Sequence, residues 1–231
     1  MKRPASYLEP FGWWGPLRSP GEATSLDGLI ASGMLADELA TILRTLVEAR
    51  ASIVVCAGPS GAGKTTFLTA LLNHLPIDTT RVYIRGCYEP FDFFDHTDPA
   101  TTALLVNEIS PHLPIYLWGP GVQRVLAAAE RGYQLAGTAH ADSVEDFIYS
   151  LTAYPLRLPT DSLRVIDLLV LLDLNWENEQ PVRNVKEVVS LSADAPPGTI
   201  RPERLAWRDP KSDELVIGEA AVNEVVGRLI A

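Results

Sequence analysis

The sequence predicts an α/β domain with a mostly parallel central sheet, flanked by helices and followed by a C-terminal hairpin. Three observations lead to this fold class. Short apolar runs typical of buried strands alternate with amphipathic helical stretches, a glycine-rich loop joins the first such strand to a helix, and two long apolar runs near the C-terminus are separated by a polar turn. At 231 residues, the chain is long enough for one domain with a sizeable core.

Composition and charge exclude several classes of partner. The net charge of −10 and the pI near 4.8 make the average surface repel nucleic-acid phosphates, so no nucleic-acid partner is predicted. The longest strictly apolar run, Leu168–Leu172, is far shorter than the roughly 20 residues of a membrane span, and no apolar stretch of a secretory signal follows Met1. We therefore expect a cytoplasmic protein without direct membrane insertion. The cysteines, Cys56 and Cys87, lie in runs predicted as buried strands and form no Cys-x-x-Cys pair.

The N-terminal quarter of the chain is predicted as an arm, two helices and a strand. Residues 1–23 are rich in proline, glycine and aromatic residues and read as an extended arm, whereas residues 24–231 form the main domain. Apolar side chains recur at helical spacing between Ser25 and Val47, which predicts two helices. The β-branched run Ser52–Ala57 then predicts a parallel strand buried on both faces.

The remaining elements continue the alternation. After a helix starting near Lys64, a strand at Arg81–Arg85 and an acidic aromatic loop, Asp98-Pro99 has the form of an N-cap followed by a first helical proline, so residues 100–110 are predicted as a helix. Further along, the patterns predict a strand at Leu113–Trp118, a helix at Val122–Arg131, a strand at Tyr133–Thr138, a helix at Asp142–Leu151, and hairpin strands at Arg164–Leu174 and Val182–Leu191, in a hairpin region of about 164–191.

A phosphate-binding loop is the strongest motif in the chain. Gly58-Pro59-Ser60-Gly61-Ala62-Gly63-Lys64-Thr65, followed by Thr66, fits G-x-x-x-x-G-K-[ST] between a predicted strand and a predicted helix. The glycines let backbone N–H groups face phosphate oxygens, Lys64 is expected to reach the β and γ phosphates, and the Thr65 hydroxyl to bind Mg²⁺. Residues 58–66 are thus predicted to bind ATP with Mg²⁺, although nothing in the loop distinguishes adenine from guanine.

Three further stretches resemble one protein family. They are the lead-in Ser25–Leu35 with Phe67–Leu72 after the loop, a strand ending in Thr-x-His within Gly132–Ser143, and Val185–Val189 in the hairpin. Together with the loop, they resemble the motor-ATPase domain of the type II/type IV secretion and pilus-assembly superfamily, over roughly residues 24–215. The resemblance implies a RecA-type P-loop NTPase fold with a mostly parallel sheet.

The resemblance also implies catalytic residues. His140 matches the histidine that lies near the γ-phosphate in the family. The family's acidic box falls in register on Gly86 and Cys87, and a shifted match places Glu89 and Asp92 there. A second acidic motif, an apolar strand ending in Gly-Glu, has two candidates: Leu104–Glu108, which keeps the glutamate Glu108, and Ile115–Pro120, which keeps the predicted strand order and is the favoured one.

Three functions remain open at this stage. The first is a motor ATPase that hydrolyses ATP to drive assembly or transport, acting as a ring of copies or with a related ATPase, and with an inner-membrane assembly protein as partner. The second is a nucleotide-binding homologue with slow or no turnover, acting as a regulatory or scaffold component. It is favoured because residues 86–123, where the family carries arginines, contain no Lys or Arg. A small-molecule kinase is the third, and the lack of a basic substrate clamp speaks against it.

Overall fold

The structure, a computed structural model, describes residues 6–8, 25–113 and 115–230. Its helices are α1 (Leu26–Ala31), α2 (Asp37–Glu48), α3 (Lys64–Leu72), α4 (Pro120–Glu130), α5 (Val144–Thr152) and α6 (Glu219–Ile230). Its strands are β1 (Ile53–Cys56), β2 (Thr80–Ile84), β3 (Thr102–Ile109), β4 (Gln134–Ala139), β5 (Leu168–Glu177), β6 (Gln180–Ser190), β7 (Glu203–Arg208) and β8 (Leu215–Ile217).

Within the described part of the chain, the strands form one eight-stranded sheet in the order β2-β3-β4-β1-β5-β6-β7-β8. The pairs from β2 through β5 are parallel, and the pairs from β5 to β8 are antiparallel. The predicted α/β fold class, a mostly parallel sheet flanked by helices with a C-terminal hairpin, is confirmed. The parallel part has the order 2-3-4-1-5, with β1 inside the sheet between β4 and β5.

Strand β1 shows why the sheet is covered on both faces. Its four residues are at most 2% exposed, and it pairs in parallel with β4 on one side and with β5 on the other. Because successive side chains of a strand point to opposite faces, Val55 packs into the core under α1, α2, α3 and α6, whereas Val54 packs into the core under α4 and α5. The two predicted lead-in helices are confirmed as α1 and α2, with Ser25 capping the first.

The predicted helix at residues 100–110 is wrong. Asp98 does cap a turn, since its side chain accepts from the Ala100 amide at 2.9 Å, but this 3-10 turn ends at Thr101. The chain then continues as β3 between β2 and β4, where the apolar run 103–106 is at most 1% exposed. A short apolar run has no periodicity that distinguishes a strand from a helix. Its structure is therefore decided by burial between two neighbouring strands and not by the cap that precedes it.

The predicted strand at Leu113–Trp118 is wrong as well. The described residues of this range, Leu113 and 115–118, belong to a connection between β3 and α4, which has a bridge to the sheet between Ile109 and Leu117. The Leu117 amide donates to the Glu108 carbonyl at 2.9 Å and closes the loop. Cys87, predicted in a buried strand, is also placed differently, since it is exposed in the 3-10 turn Gly86–Tyr88.

The C-terminal hairpin is present with a tighter turn than predicted. Glu177 pairs with Gln180, so the connection is the two-residue turn Asn178-Glu179, and both residues have positive φ, at 47° and 65°. Two positive φ values match a hairpin turn whose twist follows that of its strands. Arg164 lies in the 3-10 turn Thr160–Val165, so the first strand of the hairpin begins only at Leu168.

Little of the predicted arm falls within the described residues. Tyr7 is buried, with its ring 6.2 Å from that of Phe93 in an edge-on arrangement. The rest of the arm, residues 1–5 and 9–23, lies outside the described residues. Among the helices that are described, none has both the length and the apolar character needed to cross a membrane.

Candidate functional site

The glycine-rich loop connects β1 to α3, as the sequence predicts. Gly63 immediately precedes α3 with φ of +92°, a left-handed conformation that favours glycine and lets the helix begin at Lys64. At the other end of the loop, a Cβ atom on Gly58 would lie 1.5 Å from Oδ1 of Asp142, so no larger residue fits there without a shift. The loop therefore presents its backbone amides at the N-terminus of a helix, an arrangement that favours anions.

A cavity of about 480 Å³ opens above this loop. Its volume lies within the roughly 300–1,000 Å³ of small-molecule sites. One wall consists of the loop and the start of α3, another of the α1 region, and single side chains come from β3 and β6. The lining residues are Ser60, Gly61, Ala62, Gly63, Lys64, Thr65, Thr66, Gly28, Leu29, Ser32, Met34, Glu108 and Arg183. Of the predicted nucleotide-binding residues, only Gly58 and Pro59 lie outside the lining.

Two of the predicted catalytic residues lie side by side at one edge of the sheet. Glu108 is the penultimate residue of β3, and His140 directly follows β4, the neighbouring parallel strand. Because parallel strands end at the same edge, their carboxyl ends place both side chains near the loop that follows β1. A carboxylate oxygen of Glu108 and a ring nitrogen of His140 lie within 4.8 Å of each other.

The strand order decides between the two candidates for the second acidic motif. The favoured one, Ile115–Pro120, is wrong as a strand, because its residues form the loop before α4 and Pro120 is the first residue of that helix. The other, Leu104–Glu108, is strand β3. Glu108 is half-buried and lines the cavity. The carboxylate at this strand end is therefore Glu108.

The structure places Glu89 and Asp92 apart from the cavity lining. Glu89 is 8% exposed, and its two carboxylate oxygens accept from the amides of Arg85 at 2.8 Å and Phe91 at 2.9 Å. Its carboxylate thus holds the loop after β2 together. Asp92 is exposed at the start of the 3-10 turn Asp92–Asp95. That Glu89 or Asp92 supplies a carboxylate near the Mg²⁺ ion stays a prediction from the resemblance.

Sequence reasoning missed Arg183, which lies on β6 and lines the cavity. Its Nε donates to the Gly61 carbonyl at 2.8 Å, so the hairpin brings a guanidinium onto the glycine-rich loop, in the lining that also contains Lys64. No pattern in the sequence connects the two segments. The arginines that the resemblance implies fall within residues 86–123, whereas Arg183 lies on β6, on the other side of β1.

His112 was also missed. It lies in the loop after β3, and its ring centroid is 4.5 Å from that of His140, with the ring planes at 69°. Glu108, His112 and His140 thereby form a cluster of one carboxylate and two imidazoles next to the cavity. The only sequence signal was the position of a histidine four residues after Glu108, which has meaning only once Glu108 is known to end a strand.

Two largely buried titratable groups lie at or next to the central strands β1 and β5. Burial strongly raises the pKa of the Cys56 thiol at the end of β1, and the opposing charge of Lys64 is a smaller effect, so this thiol stays protonated and unreactive. Burial also raises the pKa of Asp167, just before β5, and outweighs the hydrogen bond of 2.9 Å that its carboxylate accepts from the Ser52 amide. Neither group lines the cavity.

No family model and no curated protein matches this sequence. Similar solved structures include the VirB11 ATPase of the Brucella suis type IV secretion system in complex with sulphate, with a TM-score of 0.47 and 21% identity over 81% of this chain and 64% of that one. They also include the Legionella pneumophila ATPase DotB, with a TM-score of 0.47 and 16% identity over 88% of this chain and 55% of that one. This chain thus spans less than two thirds of either.

Proposed function

We propose that this chain binds ATP with Mg²⁺ in the cavity above residues 58–66 and hydrolyses it. The single observation that carries the proposal is that Lys64, Thr65 and Glu108 line one open cavity at the carboxyl edge of a parallel sheet. An ammonium group, a hydroxyl at a helix start and a carboxylate are the groups that nucleotide hydrolysis requires there.

In this proposal, the loop and the start of α3 bind the nucleotide. The amides of Ser60–Gly63 and the helix N-terminus attract the phosphate tail, and Lys64 adds a full positive charge. The Thr65 hydroxyl fits a Mg²⁺ ion, since Mg²⁺ prefers oxygen ligands in proteins. When bound with the nucleotide, Mg²⁺ neutralises charge on the phosphates.

In this proposal, the residues at the carboxyl ends of β3 and β4 catalyse hydrolysis. Glu108, half-buried at the cavity wall, orients the attacking water, and His140 beside it contacts the transferred phosphoryl group. Arg183 supplies the positive charge that the segment 86–123 lacks, because its guanidinium already lies on the phosphate loop of the same chain. An arginine supplied in this way stabilises charge that develops in the transition state.

The family resemblance supports a role for this turnover as the motor of a secretion or pilus-assembly system. On this proposal the chain is cytoplasmic, assembles with further copies of itself or with a related ATPase, and engages an inner-membrane assembly protein. The chemistry of the cavity supports the first part, ATP binding and hydrolysis, independently of the partners.

One observation favours a second candidate, a nucleotide-binding regulatory component without fast turnover. The two arginines that follow the segment 86–123, Arg124 and Arg131, stack on aromatic rings, at 5.2 Å from the centroid of Phe91 and 4.5 Å from that of Phe94. Neither lines the cavity. If these arginines stay engaged and no neighbouring chain supplies another, the rate depends on Arg183 alone.

The experiment compares ATP binding with phosphate release in four proteins. We expect Lys64→Ala to weaken ATP binding by at least about tenfold, since a hydrogen bond to a charged group contributes about 1.5–3 kcal/mol. Glu108→Gln should keep binding and lose most of the turnover, whereas the matched control Asp92→Asn should keep both. Tight ATP binding by Lys64→Ala would overturn the proposed binding site. Unchanged turnover in Glu108→Gln would overturn the proposed chemistry, and binding without turnover in the wild type would select the second candidate.

A further inference from the structure

Three metal-ligating side chains converge beside the cavity. Glu108, His112 and His140 each offer one ligand atom, and these three atoms all lie within 4.8 Å of one another. Both histidines are exposed and Glu108 is half-buried, so an ion from solvent can reach the cluster. This cluster differs from an ordinary acidic patch, because two of its three side chains offer an imidazole nitrogen as the ligand atom.

The backbone holds the three side chains in place. Ile109 and Ala139 are paired across β3 and β4 after a shift in register between Val106 and Ile109, and this pair brings its neighbours Glu108 and His140 to the same edge of the sheet. The Thr138 hydroxyl donates to the Asn107 carbonyl at the same edge. Strand pairing thus holds the backbone near two of the three residues, so that mainly side chains have to move when an ion binds.

The third member is held by the loop after β3. The His112 amide donates to the Ser110 hydroxyl oxygen at 3.1 Å, and the Ser110 amide donates to the Leu117 carbonyl at 3.2 Å. The loop is thereby folded back onto its own strand, and this carries the His112 ring to the His140 ring.

The donor set selects the class of ion. Two imidazoles and one carboxylate, with a fourth position open, are the protein ligands of many zinc sites, whereas Mg²⁺ and Ca²⁺ prefer oxygen ligands. Zinc bonds of about 2.0–2.2 Å place tetrahedral ligand atoms about 3.4 Å apart, so atoms that lie within 4.8 Å of one another need to approach by at most about 1.4 Å. Rotation of two exposed imidazoles is enough for that.

We propose that Glu108, His112 and His140 bind a divalent transition-metal ion, with Zn²⁺ as the ion that fits best, and that the bound ion inhibits ATP hydrolysis. The inhibition follows because the ion takes the Glu108 carboxylate and the His140 imidazole away from water and phosphate. Metal binding stands on the cluster alone, and only the inhibitory effect rests on the proposed function.

The binding test uses the full chain without nucleotide. Zn²⁺ is titrated into the protein in competition with a chromophoric chelator, and the visible absorption of added Co²⁺ reports the geometry at the ion. We expect one strong site per chain, weakened at least about tenfold in His112→Gln, since even residues that merely support a metal ligand contribute 10- to 100-fold. His96→Gln, which removes an exposed histidine outside the cluster, is the matched control and should bind as the wild type does. Equal binding by His112→Gln, or no strong site in the wild type, overturns the proposal.

The effect on hydrolysis is measured as a ratio within each protein. Phosphate release with saturating Mg²⁺ and ATP is compared with and without one equivalent of free Zn²⁺. We expect strong inhibition in the wild type and in His96→Gln, and little in His112→Gln. Equal inhibition of all three overturns the inhibitory role. A protein that binds Zn²⁺ at this site but never hydrolyses ATP supports the metal site and refutes the proposed function. An active ATPase without a strong zinc site supports the proposed function and refutes the metal site.

Discussion

Removal of the Arg183 guanidinium is expected to weaken ATP binding by about 10- to 100-fold. In the structure, Nε of Arg183 donates to the Gly61 carbonyl at 2.8 Å, which leaves the two terminal nitrogens of the same planar group for the phosphate tail. A hydrogen bond to a charged group contributes about 1.5–3 kcal/mol, and about 1.4 kcal/mol corresponds to a tenfold change in affinity. The tenfold loss of affinity is expected if the contact between Arg183 and the phosphates is largely exposed to solvent, because salt then screens it.

The fold itself should tolerate the change. The bond from Arg183 to Gly61 joins two partly exposed segments, and its loss is expected to lower the free energy of unfolding by about 1 kcal/mol. Arg183→Lys keeps the charge but lacks the planar fork that engages a carbonyl and a phosphate together, so we expect an intermediate affinity. The decrease in affinity should therefore exceed any decrease in stability.

The assay is titration of ATP at fixed ionic strength, by calorimetry or by anisotropy of a fluorescent analogue. Arg204→Ala is the matched control, because Arg204 is a neighbouring-strand arginine that lies 3.2 Å from Glu187 with a side chain 62% exposed, and it does not line the cavity. It should bind ATP as the wild type does. ATP binding by Arg183→Ala that equals that of the wild type would refute the argument that the hairpin contributes to the nucleotide site.

Three further predictions concern the loop and the two buried groups. Gly58→Ala should weaken ATP binding while largely preserving the fold, because the new Cβ would meet the Asp142 carboxylate at 1.5 Å and force the loop to move, and unchanged affinity in the same titration would contradict this. Native protein should react with DTNB at Cys87, which is exposed, and at Cys56 only after unfolding, because Cys56 is buried and its thiol pKa is raised; two rapid thiols would show the placement of Cys56 to be wrong. The raised pKa of Asp167 means that the folded chain holds this proton more tightly than the unfolded chain does. The stability that comes with this proton is fully present below the ordinary value of 3.8 and is lost as pH rises through the folded pKa. Relative to Asp167→Asn, the wild type should therefore lose unfolding free energy from about pH 4 upward in urea titrations, and a difference that is flat or grows with pH would contradict it.

Local patterns in the sequence were sufficient for much of the site. The loop Gly58–Thr65 needs a strand before it, a helix after it and glycines between, and all three are properties of adjacent residues. The position of His140 at a strand end follows in the same way, from the apolar run that precedes it. These features were predicted because the interactions that produce them act over a few residues.

The assignment of β3 shows where local patterns mislead. Asp98-Pro99 is a genuine cap, but it closes only a 3-10 turn, and the apolar run that follows is compatible with a helix or a buried strand. The choice depends on whether neighbouring strands are available on both sides, and β2 and β4 provide them. Because the helix was predicted there, the favoured candidate for the second acidic motif was Ile115–Pro120, which is not a strand in the structure.

Sequence patterns alone therefore predicted the glycine-rich loop between a strand and a helix, the α/β fold class, and the residue types proposed for nucleotide chemistry. The tertiary structure decided which distant residues come into contact. Arg183 reaches Gly61 across 122 residues, and His112 reaches His140 only because a loop folds back beside two paired strands. Such contacts depend on strand order and on pairing between distant segments, which cannot be inferred from residues that are adjacent in the chain.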